Sequence, residues 1–162
     1  GLFNGVLCAK GSAGNEMLFD PSEKVSRLEF LVCAMDAFGA GNIPSSSDAG
    51  FADTDTIPEK HRGYVSAAKS LGIVSGVNEG GRMYFRGDEE ITYAQAAVIL
   101  NRIIGLESDG TKSLSADVPE WAYRDVCALT ENGILDPYCN VSASVDRAGC
   151  AQIVCEAVRF FD

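Results

Sequence analysis

The sequence predicts an all-α protein built from three helix–loop–helix units, and three observations support this. One phrase occurs three times: "VSRLEFLVCAMDAFG" from Val25, "ITYAQAAVILNRIIGL" from Ile91 and "VDRAGCAQIVCEAVRF" from Val145. A second anchor precedes each phrase, a glycine followed by an apolar residue: "GLFNG" at Gly1–Gly5, "GIVSG" at Gly72–Gly76 and "GILDP" at Gly133–Pro137. Apolar positions then recur at spacings of three and four, which places them on one face of a helix. Ordered self-similarity of this kind is the signature of a repeat array.

The elements follow in order. In the first unit, the turn at Gly1–Gly5 leads through a loop, "MLFDPSEK", into a helix whose start carries Ser26 and, three residues on, Glu29. That pair is a capping box. A linker rich in Gly, Ser and Asp, "GAGNIPSSSDAG", follows. The second unit opens with "FADTDTIPEKHRGYVSAAKSL". Asp53 is placed to cap this helix and Pro58 suits its first turn. Counted back from Gly72 and Gly133, Tyr64, Val65 and Ala68 align with Asp125, Val126 and Leu129. Gly72 ends the helix as a left-handed cap. The loop "MYFRGDEE" then leads to Thr92 and Gln95, a second capping box. After the linker "GLESDGTKSLS", the third unit repeats the plan with Asp117, Pro119, Gly133 and a shortened loop, "DPYCNVSAS". The expected boundaries are 1–40, 51–106 and 114–162, forming one domain together. The first unit opens on its glycine turn and so lacks its leading helix, leaving an apolar face through which the chain is expected to self-associate.

Length and charge narrow the function. A chain of 162 residues can bury a sizeable core. Its net charge of −10 argues against nucleic acid, whose phosphates require a clustered basic surface. The same balance disfavours anionic lipid, and no apolar run reaches the ~20 residues of a membrane-spanning helix. An anionic ligand is compatible only at a local pocket where arginines or backbone N–H groups converge. The start, "GLFNGVLCAKG", has no basic leader before an apolar stretch, so an export signal would lie upstream.

No enzyme signature is present. His61 has no partner pattern, and there is no H-E-x-x-H, G-x-S-x-G or glycine-rich phosphate loop. Neither Asp53/Asp55 nor "LESDGTKS" has the order of a calcium loop. No catalytic residue, metal or cofactor is expected. Of the six cysteines, none forms a C-x-x-C pair. Cys33 aligns with Ile99 and Ile153, and Cys150 with Phe30 and Ala96, which makes both core substitutes. Cys139 has no counterpart, and a bridge to Cys127, Cys150 or Cys155 would brace the short loop in an oxidising exterior. "NVS" at Asn140–Ser142 is a formal glycosylation sequon of little weight.

An F-x-D start, a helix bearing Trp, a G-I-x-x-G turn, an aromatic loop and an I-T-R-A-E helix start together resemble the S-layer homology module. "FADTDT", "GIVSG", "YF" and "ITYAQ" carry the likeness in the second unit. "SADVPEWAYRDV" and "VDRAG" carry it in the third, and "GLFNG", "LFDP" and "VSRLEF" in the first. The resemblance implies a pseudo-threefold, three-pronged helical domain at the bacterial cell surface, in the wall or S-layer. It implies a secreted, non-catalytic anchor that binds an anionic secondary cell-wall polysaccharide, often pyruvylated, in grooves between prongs.

By the same resemblance, the signature arginine falls on Arg27 and Arg147, with Tyr93 in its place in the second unit. The accompanying acid falls on Glu29, and its positions in the other units hold Gln95 and Gly149. The family's tryptophan falls on Trp121, with Lys60 in the second unit, and its early aspartates on Asp53 and Asp117. The ligand-binding candidates are therefore Arg27, Arg147, Trp121, Tyr93, Asp53 and Asp117.

Arginine in a first helical turn opposes the helix dipole. Together with helix-start N–H groups it would make a carboxylate cradle; the alternatives are a solvated arginine or an ion pair. Trp121 either stacks on a sugar or crosses the core. Tyr93 is either a sugar platform or the mark of a retired site. The rival functions are a protein–protein module for surface-layer self-assembly and an enzyme on wall glycan, which would need two facing carboxylates.

Overall fold

The computed structural model describes residues 20–39, 49–109, 114 and 117–161. Five helices carry the architecture: α1 (Arg27–Ala37), α2 (Glu59–Ser70), α3 (Tyr93–Ile104), α4 (Tyr123–Glu131) and α5 (Arg147–Phe161). Two single 3-10 turns, Thr54–Thr56 and Glu120–Ala122, lead into α2 and α4. The expected turn at Gly1–Gly5, Cys8 and most of the first linker lie outside the described residues.

The helix starts follow the sequence. Ser26 caps α1 and Glu29 reaches back to the Ser26 N–H, and Thr92 and Gln95 do the same for α3. Asp146 accepts from the Gly149 N–H at 2.8 Å, so α5 has a cap without the returning acid. Gly72 and Gly133 take left-handed φ values of 74° just after α2 and α4. Two expectations fail. Pro58, not Asp53, occupies the cap position of α2, and Pro119 that of the second 3-10 turn, so neither proline lies inside its element.

The all-α expectation also needs amending, because the loop after Gly76 holds a two-stranded antiparallel hairpin, β1 (Val77–Glu79) and β2 (Arg82–Tyr84). Gly80 and Gly81 connect the strands with φ of 57° and 82°. Two successive positive φ values are what a tight hairpin of native twist requires, and a Gly-Gly pair supplies them.

α2 packs on α1 and α4 on α3, while α1 touches both α3 and α5. What locks these together is a closed ring of backbone bonds. The Val25 N–H donates to Val145 O (3.0 Å), Val145 N–H to Ile91 O (2.8 Å), and Ile91 N–H to Val25 O (3.0 Å). All three side chains are buried beneath it. The next N–H groups extend the pattern: Arg27 and Leu28 donate to Glu89 O and Gly87 O, Tyr93 and Ala94 to Ala143 O and Val141 O, and Arg147 and Ala148 to Glu23 O and Pro21 O. One hydrophobic core runs under all five helices, with Phe30, Leu31, Phe85, Ile91, Leu100 and Val145 among its fully buried members. Cys33 and Cys150 are buried there as their alignment with aliphatic positions requires, whereas Cys139, Cys150 and Cys155 are thiols, so Cys139 forms none of the anticipated bridges.

Candidate functional site

A groove of about 320 Å³ opens between the start of α1, the outer face of α3 and the turn at Ile73–Val77. Arg27, Gln95 and Arg102 line it, together with Ser75, and Trp121 stands at its margin. Each arrives there for a local reason. The capping box at Ser26 starts α1 so that Arg27 is its first residue. The α3 helix then carries Gln95 in its first turn and Arg102 in its last. Gly76 lets the turn close over Phe51: at φ 77°, a Cβ there would lie 2.5 Å from a Phe51 ring carbon and 2.8 Å from Tyr84 O.

Arg27 is the centre of the electrostatics. Its guanidinium stands 5.5 Å from the centroid of the buried Phe85 ring. Its Nε is buried with no hydrogen-bond partner, and among the described residues the side chain forms no ion pair. Burial depresses its pKa, with Glu89 opposing the shift and Arg102 adding to it. Arginine stays protonated under such shifts. The cost of desolvation therefore persists as an incompletely compensated positive charge, which an anion would relieve. Arg102 adds a second cation, tethered to Ile73 O at 3.2 Å. Gln95 uses its Oε1 on the Thr92 N–H, so the residue accompanying these arginines is a neutral amide rather than a carboxylate. Trp121 is 60% exposed, which decides against a position across the core.

The other candidates sit differently. Arg147 is 7% exposed and ion-paired with Glu23, joining the start of α5 to the loop before α1. Tyr93 packs against α5: a Cβ on Gly149 would fall within the Tyr93 hydroxyl and 3.0 Å from its Cζ. Burial raises the Tyr93 pKa, with Asp146, Cys139 and Cys150 adding to it. Asp117 lies in an exposed turn before the second 3-10 element.

Asp53 accepts from the N–H groups of Phe85 (2.8 Å) and Arg86 (2.7 Å). It thereby holds Arg86 at a φ of 57°, a conformation uncommon for a residue with a side chain. Asp53→Ala is expected to lower stability by about 2 kcal/mol, the scale for losing charged hydrogen bonds in a half-exposed site. Urea unfolding measures the loss.

The helix-start cradle does not form as expected. In α1, α3 and α5 alike the first two N–H groups are taken by loop carbonyls and the third by the capping side chain. An anion in the groove is left with side chains alone. Arg102 was missed by sequence reasoning, although a signal existed: its aligned positions in the other two phrases are Asp36 and Glu156.

Residues 50–97 match the family model of the S-layer homology domain. That segment contains α2, the hairpin and the first part of α3, and hence Gln95 and the turn that walls the groove. Domains of this family are generally non-enzymatic modules that anchor proteins to the cell wall. No curated protein matches the chain. No helix among the described residues is long and apolar enough to cross a membrane.

Proposed function

We propose that the chain is a non-catalytic wall-anchoring domain of three S-layer homology repeats in a three-pronged arrangement, displayed at a bacterial cell surface. It holds an anionic, pyruvylated secondary wall polysaccharide in the groove between α1 and α3. The observation that carries this reading is the pairing of Arg27 and Arg102 beside an exposed tryptophan in a chain of net charge −10. A cationic pocket on an acidic protein selects an anion locally while the remaining surface repels polyanions in general. The guanidinium forks suit ligand carboxylates, and the Trp121 indole offers a face for a sugar ring.

The test is co-sedimentation with purified wall sacculi, before and after chemical removal of their non-peptidoglycan polymer. Binding should vanish on stripping. Equal binding to stripped and intact sacculi would overturn the assignment. Self-assembly is the alternative reading, favoured by Phe160 and Phe161, which stand exposed at the end of α5. Concentration-dependent association without wall binding would support it instead.

A further inference from the structure

Resting on the wall-ligand reading, we infer that, among the described residues, only the groove between α1 and α3 takes the anion, because Tyr93 closes the equivalent cleft between α3 and α5. The three aligned phrases allow a position-by-position comparison. Where the open groove has Arg27, Gln95 and Arg102, the next set has Tyr93, Gly149 and Glu156. The Tyr93 phenol fills the space that Gly149 leaves, so any side chain at Gly149 would collide with it. The two residues depart from their counterparts together, and each explains the other. Tyr93 could not pack there against a glutamine or glutamate, and without the ring Gly149 would leave a void beside Asp146.

Charge follows the same division. Glu156 replaces Arg102, and Asp136 stands where the open groove has Ser75. The third set offers Arg147, Glu29 and Asp36. There Arg147 is committed to Glu23, and Asp36 accepts from the Tyr64 hydroxyl at 2.6 Å, a bond that pushes the Tyr64 pKa up to about 12. Among the described residues, one set alone has two arginines at these positions, and both line the groove between α1 and α3.

Calorimetric titration of the 162-residue chain with a methyl hexoside carrying a pyruvate ketal tests this. One ligand per chain is expected, weakened about tenfold or more by Arg27→Ala and altered less than about twofold by Tyr93→Phe, which keeps the ring and removes only the hydroxyl. Two ligands per chain, or a loss beyond about threefold in Tyr93→Phe, would overturn the inference and leave the wall-ligand reading standing. No binding by the parent chain would overturn both.

A second measurement needs no ligand. Gly149→Ala should lower the thermal midpoint by about 5 °C or more in the parent and by much less in a Tyr93→Ala background. Equal losses in the two backgrounds would show that Tyr93 does not occupy that space and would end the proposal.

Discussion

Arg27→Ala/Arg102→Ala should keep its helical circular dichroism spectrum and lose wall binding by about 100-fold or more. Two charge-assisted hydrogen bonds to ligand carboxylates contribute about 1.5–3 kcal/mol each, and each 1.4 kcal/mol is roughly a factor of ten in affinity. Stability should change little by comparison. Arg27 forms no ion pair among the described residues, and Arg102 contributes bonds to two carbonyls at 3.2 and 3.4 Å. What the fold loses is the guanidinium over Phe85, worth about 0.5–1 kcal/mol at a partly exposed site. Arg27→Lys separates charge from geometry: it keeps the cation and loses the fork, and should bind more weakly than the parent yet better than alanine. Affinity should also fall with added salt, since the groove is open to solvent. Sacculus binding isotherms at two ionic strengths measure all of this. A double variant that binds as the parent does would remove the arginines from the site.

Phe85→Ala should cost about 3–5 kcal/mol, the range for truncating a buried phenylalanine. Phe85 is fully buried, lies 5.8 Å from Phe51 between ring centroids, and carries Arg27 above it. A Cβ on Gly87 would come within 3.1 Å of its ring, so the pocket fits closely and collapse into the vacated volume is restricted. Against the ~5–15 kcal/mol available to an ordinary domain, this is a large fraction. Phe85→Leu keeps most of the volume and should cost roughly 1 kcal/mol. Urea midpoints report both. The alanine variant should also bind the wall more weakly when folded, because Arg27 would stand over a cavity rather than a ring.

What could be read from the sequence was what depends on neighbours along the chain. Ser26/Glu29 and Thr92/Gln95 are short-range hydrogen-bonding patterns, and Gly72 and Gly133 answer a local φ requirement, so the structure repeats them as written. The hairpin at Val77–Tyr84 is local as well, since Gly80 and Gly81 supply the two positive φ values of its turn. The remaining differences depend on partners far off in the chain. Asp53 finds Phe85 and Arg86 rather than its own helix, and Arg147 finds Glu23. The N–H groups expected to cradle an anion meet carbonyls from another part of the sequence. No periodicity encodes such pairings. Trp121 could not be assigned from its type alone, since indole suits a core and a sugar face equally.

The ring of bonds among Val25, Ile91 and Val145 bears on how the domain is made. It joins the opening of the described chain to its last helix, so it cannot close until nearly all of the sequence is present. Contacts so far apart are the slow ones in folding. The groove depends on the same closure, since Arg27 comes from α1, Arg102 from α3 and Trp121 from the turn before α4. The two arginines and the indole are therefore dispersed along the unfolded chain and meet only as the fold closes.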